Sequence, residues 1–262
     1  MDLLAPIVAM NRWPIWRRRV RVWDCEATAI SFDRLLNLWL HRLGWMGEST
    51  RAYFEESIRP GMTVVDVGAN QGLYALLFSR LTGAPGRVYA FEPDPDLYRA
   101  AVANCKANHA VNVTLFPLAL GSKESRLTLW RSLVNAGDNR LAPGSPNPSR
   151  QPVEVPVKPL DTVLAGASID FMKIDVQGWE WEVIQGMQGV LEQPRGLTIW
   201  LEFWPEGLRA AGADPVRLLQ FLSQRGFRIH ATGAAELQPV TDFESLTRRY
   251  PGARYTDLAA IR

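Results

Sequence analysis

Two acidic residues flank a glycine-containing turn at the ends of two predicted strands. The β-branched run Thr63–Val67 predicts a buried strand that contains Asp66 and continues directly into the turn at residues 68–72. Glycine lets the backbone turn tightly and approach a ligand closely, and the helix predicted after the turn begins with unpaired N–H groups. Glu92 follows the second predicted strand. Because ligands of open α/β sheets bind at the carboxyl ends of the strands, the sequence predicts a ligand site here.

The composition of the turn indicates which ligand would fit. The turn reads Gly-x-Asn-x-Gly, whereas a dinucleotide-binding turn reads Gly-x-Gly-x-x-Gly. Asp66 would repel a pyrophosphate, but its charge suits the ammonium group in the methionine half of S-adenosylmethionine (SAM). Glu92 could accept hydrogen bonds from ribose hydroxyls. A nicotinamide-dependent oxidoreductase is the disfavoured enzyme alternative. The predicted cofactor contacts, most of them at or near the ends of predicted strands, are Asp66, Gly68, Asn70, Gly72, Glu92, Ala119 and Asp175.

Four further side chains are candidates for the chemical step. Transfer of a methyl group from a sulfonium needs alignment, and a base near a hydroxyl acceptor would help. Asp175, which follows the predicted strand at residues 169–174, is the first candidate base. Lys173 lies on the same face of that strand and could orient Asp175 or the acceptor. A structural ion pair, or a contact from Asp175 to the cofactor, is the open alternative.

Glu202 and His41 are the weaker catalytic candidates. Glu202 lies in the fifth predicted strand beside Trp204 and could face the acceptor. His41 lies on a helix predicted near the N-terminus, where a histidine base would be attractive but a structural histidine is more common. No His, Asp or Glu cluster has metal-ligand spacing, so no metal residue is predicted, although separated carboxylates could still meet a Mg²⁺ ion.

Three stretches of the sequence together resemble the FkbM-type family of class I SAM-dependent methyltransferases. They are Asp66-Val67-Gly68-Ala69-Asn70-Gln71-Gly72-Leu73-Tyr74, Phe91-Glu92-Pro93 and Lys173-Ile174-Asp175-Val176-Gln177-Gly178-Trp179-Glu180. The resemblance implies SAM as methyl donor, O-methylation in most members, and sugars or secondary metabolites as acceptors. It also implies a seven-stranded sheet whose last strand is antiparallel. Gln177 stands where the family pattern commonly has glutamate, so a second carboxylate is missing at that position.

The alternation of strands and helices predicts the fold. From residue 61 onward it indicates βαβ units, and hence an α/β three-layer sandwich with a mostly parallel sheet. The third strand is predicted at residues 113–120. A polar loop at 132–151, between hairpin-like strands, is predicted to be a functional lid or disordered. Residues 1–60 form a lead-in segment with an apolar helical stripe at residues 32–43, expected to cover the acceptor site, and residues 61–262 form the SAM-binding domain.

The overall composition does not indicate which partner the protein binds, so local features must. The net charge is +2, the two cysteines lie far apart, and no apolar run reaches the ~18 residues that span a membrane, so a cytoplasmic protein is expected. Residues 12–23 alternate arginine with tryptophan and valine. This pattern is typical of an outer strand, and a peripheral membrane or nucleic-acid contact is the alternative.

Two other function classes stay open beside O-methylation of a small-molecule or glycan acceptor. A nucleic-acid methyltransferase could use the arginine-rich residues 12–23, but the Asn/Asp-Pro-Pro-aromatic motif typical of base amino methylation is missing after the fourth strand. A non-catalytic binding module with the same fold is disfavoured because Asp66, Gly68, Glu92 and Asp175 are all present.

Overall fold

The computed structural model describes residues 18–44, 47–141, 150–194, 196–232 and 237–262. In chain order its strands are β1 (Arg18–Val22), β2 (Cys25–Ala29), β3 (Thr63–Val67), β4 (Arg87–Phe91), β5 (Val113–Phe116), β6 (Ala119–Leu120), β7 (Ser125–Ser132), β8 (Arg150–Lys158), β9 (Phe171–Ile174), β10 (Thr198–Phe203), β11 (Arg228–Thr232), β12 (Leu237–Pro239) and β13 (Thr256–Ile261). The helices are α1 (Phe32–Arg42), α2 (Glu48–Ser57), α3 (Leu73–Thr82), α4 (Pro95–Ala107), α5 (Leu160–Val163), α6 (Glu180–Gln185), α7 (Gln188–Leu191), α8 (Pro205–Ala210), α9 (Pro215–Gln224) and α10 (Phe243–Arg249). None of the helices in the described ranges is both long and apolar enough to cross a membrane.

The central sheet has the spatial order β12-β11-β13-β10-β9-β3-β4-β5. Strands β10, β9, β3, β4 and β5 are parallel, and β13 runs antiparallel to both β10 and β11. This confirms the predicted mostly parallel α/β sheet with an antiparallel last strand. The sheet has eight strands and not seven, because Leu237–Pro239 adds a short edge strand beside β11. Three residues are too few to show a period, and proline is tolerated at a sheet edge.

Alternate residues of the central strands face two different cores. Val65, Met172 and Ile199 belong to one core, which is closed by the helices after β9 and β10. Their chain neighbours Val64 and Phe171 belong to the other core, which is closed by α2, α3 and the β1–β2 hairpin. Since successive strand residues point to opposite faces, a sheet between two helical layers follows. The predicted three-layer sandwich is confirmed.

The third predicted strand is divided at Pro117. Residues 113–120 were expected to form one strand, but only Val113–Phe116 pairs in the central sheet, with β4. Ala119–Leu120 pairs instead with β8 in a separate sheet, which also contains β7. Proline lacks the N–H group needed to continue the ladder, so the chain leaves the first sheet there.

The predicted loop at 132–151 is partly ordered by contacts with the main domain. Strands β7 and β8 form the expected hairpin on either side of it. Within the loop, Ala136–Asp138 forms a 3₁₀ turn, and the side chain of Asn139 donates to Asp94 Oδ2 at 3.1 Å. Residues 142–149 lie outside the described residues. The described part of the loop is therefore tied to the domain, and its action as a lid stays a prediction.

The lead-in segment packs onto the sheet through its hairpin. In β1 the side chains of Val20 and Val22 are buried, whereas Arg18, Arg19 and Arg21 are exposed, as an outer strand requires. Residues 12–17 lie outside the described residues, so the membrane contact proposed for residues 12–23 stays a prediction.

Helix α1 faces inward with a different stripe from the apolar one in the sequence. Leu36, Trp39 and Leu43 are about half exposed, at 50%, 46% and 51%, whereas Arg34 and His41 are buried. Leu35 of the stripe packs against the core, whereas Arg34, Leu38 and His41 line the cavity, so the stripe is only partly buried. Helix α2 begins at Glu48 after Gly47.

Candidate active site

A cavity of about 360 Å³ opens at the carboxyl ends of β3, β4, β9 and β10. Its floor is formed by the strand ends, and α1, the 3₁₀ turn and the start of β13 form its sides. Of the residues predicted to bind a cofactor or to act in catalysis, the cavity wall includes Gly68, Asn70, Glu92, Ala119, Lys173, Asp175, Glu202 and His41. Asp66 and Gly72 lie outside this wall.

The turn after β3 requires glycine for steric reasons. Gly68 has φ of 83°, and a Cβ there would lie 2.0 Å from the carbonyl oxygen of Asp175. This close approach joins the ends of β3 and β9. Asn70 also has a positive φ, of 57°, and its side-chain oxygen accepts from the N–H of Gln71. Gly72 contributes packing, since a Cβ there would lie 3.2 Å from Cβ of Ala101 on α4.

Glu92 holds the turn as well as facing the cavity. Its two carboxylate oxygens accept from the backbone N–H groups of Asn70, at 2.7 Å, and Asp94, at 2.8 Å. The side chain is buried, and burial raises its pKa to about 7. A carboxylate has about four lone-pair sites, so these two bonds leave acceptor capacity for a ligand. The sequence predicted the ligand contact but not the clamp on the turn.

Asp66 lies beneath the cavity and faces Lys173. Its carboxylate is fully buried, and Lys173 Nζ is 3.7 Å from Oδ1. Neither oxygen has a hydrogen-bond partner among the described residues. Burial raises the pKa of Asp66 to about 6, against the opposing charge of Lys173. Asp66 thus balances a buried cation, and its contact with a cofactor stays a prediction.

Lys173 stays protonated in this setting. Burial acts to lower the pKa of Lys173, but the charges of Asp175 and Asp66 outweigh it, and the net shift is upward. Its Nζ also lies 5.0 Å from the centre of the Tyr74 ring, a favourable cation–π distance. A permanently charged ammonium can orient a carboxylate, but it cannot accept a proton.

Gln177 connects two carboxylates at the end of the cavity nearest β10. Asp175 Oδ2 accepts from Lys173 Nζ at 3.2 Å, and its Oδ1 accepts from Gln177 Nε2 at 3.0 Å. The same amide nitrogen donates to Glu202 Oε2 at 2.7 Å. The pKa of Glu202 is raised well above its usual value by burial and by the charges of Asp175, Glu180 and Asp257. A glutamate at position 177 would add a third carboxylate between the other two, and glutamine supplies a shared donor instead.

Asp257 is a functional candidate that the sequence analysis missed. It lies in β13 opposite Glu202 and lines the cavity together with Tyr255 and Thr50. Burial, followed by the charge of Asp175, raises the pKa of Asp257 to about 7. The signal was its place near the start of a predicted antiparallel strand, because such a start lies at the same sheet edge as the ends of the parallel strands.

Two side chains of α1 reach the cavity from the lead-in segment. His41 is 7% exposed, and its ring lies edge-on to that of Trp23, with centres 5.0 Å apart. Arg34, two turns earlier, is 2% exposed and lines the same cavity. The sequence made His41 only a weak catalytic candidate and did not indicate Arg34 as a site residue, because both lie off the apolar stripe of α1. Across the described ranges, no group of three or more His, Cys, Asp or Glu side chains has the geometry to hold a metal ion.

Comparison with known proteins gives both a family and a fold. The sequence model of the methyltransferase FkbM domain matches residues 66–229. No protein of curated function gives a significant sequence match. Among solved structures, a protein assigned as an rRNA methylase from Clostridium thermocellum superposes with a TM-score of 0.51 at 12% identity, over 82% of this chain and 95% of that chain. At this identity the likeness shows a shared fold alone.

Two O-methyltransferases are also similar in structure. The one from Thermotoga maritima has a TM-score of 0.48 at 13% identity, over 93% of this chain and 77% of that chain. The one of tomaymycin synthesis from Streptomyces achromogenes, solved with SAM, has a TM-score of 0.48 at 12% identity, over 82% of this chain and 78% of that chain.

Proposed function

Because the chain belongs to the FkbM methyltransferase family, we propose that it transfers a methyl group from SAM to a hydroxyl of a small-molecule or glycan acceptor. One observation on the cavity supports this proposal in addition to the family match. The clamped turn with Glu92, and the pair Asp175–Glu202 held by Gln177, face one cavity. The first arrangement suits a nucleoside, and the second suits a reacting hydroxyl.

The residues present fit SAM as the cofactor. Gly68, Asn70 and Ala119 line the cavity beside Glu92, whose remaining lone pairs suit ribose hydroxyls. The cavity of about 360 Å³ is in the range of small-molecule sites. Its acidic wall, which consists of Asp175, Glu202 and Asp257, suits a ligand that carries ammonium and sulfonium charges. When bound, SAM supplies an electrophilic methyl group on a positively charged sulfur.

Asp175 is the best-placed group to accept the proton of an acceptor hydroxyl. Its side chain is 36% exposed and faces the cavity, while Lys173 and Gln177 hold its two oxygens in place. These two donors fix the direction of the carboxylate. Glu202, with its raised pKa, suits the role of a hydrogen-bond donor to the acceptor. His41 stands as the alternative base on the opposite side of the cavity.

The turn and the end of the cavity nearest β10 disfavour the competing function classes. The turn lacks the Gly-x-Gly-x-x-Gly spacing of a pyrophosphate site, which argues against a nicotinamide dinucleotide. At the end nearest β10, a nucleic-acid phosphate would meet the charge of Asp175. An exposed, neutral or weakly charged acceptor hydroxyl meets no such repulsion.

Binding and transfer experiments test the proposal in two steps. By calorimetry, the protein should bind S-adenosylhomocysteine (SAH) and show no binding of NAD or of a short RNA at the same concentrations. Tritiated SAM should then label a component of a cell extract, which mass spectrometry identifies by the gain of one CH₂ unit. Binding of NAD or RNA without binding of SAH would overturn the proposal.

A substitution at Asp175 tests the chemical step. Asp175→Asn keeps the shape and removes the charge, so transfer should fall by about 10²–10⁴-fold, the usual contribution of a general base. SAH affinity should stay near that of the wild type. Glu206→Gln is the matched control, since Glu206 is exposed on α8 and pairs only weakly with Arg209 at 3.5 Å. A parallel loss of SAH affinity would make Asp175 a cofactor ligand and leave the base to His41.

A further inference from the structure

Arg34 is a buried guanidinium that lines the cavity with two unused donors. The residue is 2% exposed, and its Nε and Nη2 atoms have no hydrogen-bond partner among the described residues. These two nitrogens form one edge of the guanidinium, with parallel N–H groups. A buried donor without a partner costs about 1–3 kcal/mol. Because Arg34 lines the cavity, two such donors on its side chain indicate a site for a ligand that reaches the guanidinium.

Nearby carboxylates are already engaged by other donors. Asp33, whose Oδ2 is 3.5 Å from Arg34 Nε, accepts from the hydroxyl of Ser31 and from the N–H of Ala136. Glu92 accepts from two backbone N–H groups, as described above. These two acids hold their neighbours in place. Asp33 forms an ion pair with Nε, but neither acid accepts a hydrogen bond from the Nε–Nη2 edge.

Two more acidic side chains contribute negative charge near Arg34, and both already interact with other donors. Asp94 caps α4 through the N–H groups of Asp96 and Leu97. Its Oδ2 accepts from Asn139 and forms an ion pair with Arg131. Asp175 is held by Lys173 and Gln177. The four acids therefore surround Arg34 without satisfying its free edge.

Burial also opposes the positive charge of Arg34. Burial lowers the pKa of Arg34, and the combined charges of Asp33, Glu92, Asp94 and Asp175 do not fully reverse this shift. An additional anion beside the guanidinium would offset the cost of burying the charge. A carboxylate suits the free edge, because its two oxygens match the two parallel N–H groups in a bidentate pair.

We propose that the Nε–Nη2 edge of Arg34 binds a carboxylate of a molecule held in the cavity, either the amino-acid end of the cofactor or an acidic group of the acceptor. The inference rests on the proposed function. It also assigns recognition to α1, which precedes the matched FkbM domain at residues 66–229. Ligand selection in this chain thus depends on the lead-in segment.

Two ligands that differ only in their amino-acid part test whether the carboxylate bound by Arg34 belongs to the cofactor. SAH carries the carboxylate, and 5′-methylthioadenosine keeps the nucleoside and sulfur without it. Calorimetry with wild type, Arg34→Met and Arg34→Lys should show a loss of at least about tenfold in SAH affinity for Arg34→Met, with methylthioadenosine affinity unchanged. Arg34→Lys should retain part of the SAH affinity, because it keeps the charge but loses the planar edge.

If SAH affinity is unchanged, a small carboxylate tests the acceptor as the source. In the SAH-loaded wild type, acetate should raise the melting temperature more than acetamide at equal ionic strength, and this difference should vanish in Arg34→Met. Arg99→Met is the matched control, since Arg99 is exposed on α4 and its loss changes net charge equally. The proposal is overturned if both Arg34 variants keep the wild-type ratio of SAH to methylthioadenosine affinity and the wild-type response to acetate. Failure of the wild type to bind SAH would instead refute the proposed function.

Discussion

Replacing Gln177 with glutamate should destabilise the protein in a pH-dependent way. The wild-type amide donates at 3.0 Å to Asp175 and at 2.7 Å to Glu202. Loss of both bonds should cost about 2–4 kcal/mol, counting the partly exposed Asp175 bond at the low end. Gln177→Met removes the donor without adding charge. Because position 177 has φ of 55°, Glu and Met carry the same backbone strain, and their difference isolates the charge.

The sign of the pH effect follows from the added carboxyl group. Near Asp175 and Glu202 its pKa is raised, because like charges disfavour ionisation. Below that pKa the new carboxyl holds a proton and can donate to one neighbour, which restores one of the two bonds. Above it, the new carboxylate has no proton to donate to either Asp175 or Glu202. Relative to Gln177→Met, the Glu variant should therefore lose about 1–3 kcal/mol more stability at pH 8 than at pH 5.5.

Urea unfolding of the wild type and both variants at the two pH values measures these differences. The free energies should be compared as differences from the wild type at the same pH, since other buried carboxyls titrate in all three proteins. A Met variant as stable as the wild type would refute the bridging role of Gln177. Equal destabilisation by Glu and Met at both pH values would refute the charge argument. It would also remove the explanation for glutamine at a position that is commonly glutamate in the family.

Two further substitutions test the cofactor end and the acidic wall. Glu92→Gln should lower SAH affinity by about 1.5–3 kcal/mol. It should also lower the melting temperature, because an amide cannot accept from both Asn70 and Asp94. Calorimetry that shows wild-type affinity in a folded variant would contradict the ribose contact. The pKa of Asp257 is about 7 in the folded protein, above its usual value of 3.8. The protonated carboxyl therefore stabilises the folded state fully below about pH 4, and this stabilisation is lost as the pH rises through 7. Between pH 5 and pH 8 the wild type should lose about 2–3 kcal/mol more stability than Asp257→Asn, and equal slopes in unfolding experiments would show that Asp257 does not titrate in this range.

Local features of the sequence determined the cofactor end of the site. The run Thr63–Val67, the glycine at position 68 and the acid after β4 are local signals, and parallel strands bring such ends to one edge. The helix starts at Asp94 and Asp214 also depend on neighbouring residues, since each aspartate is followed by proline and accepts from N–H groups of its own helix. These elements follow from neighbouring residues, so no long-range contact was needed to predict them.

Tertiary contacts decided which side chains face the cavity. Asp66 is predicted as a ligand contact from the sequence, and only the structure shows that it is fully buried and faces Lys173 at 3.7 Å. Arg34 carries no sequence signal and His41 carries only a weak one, because both lie off the apolar stripe of α1 and face inward only through the contact of α1 with the cavity. Asp257 joins Glu202 through a strand pair between distant segments. Such pairings depend on how whole elements pack, and that information is not contained in the spacing of residues along the chain.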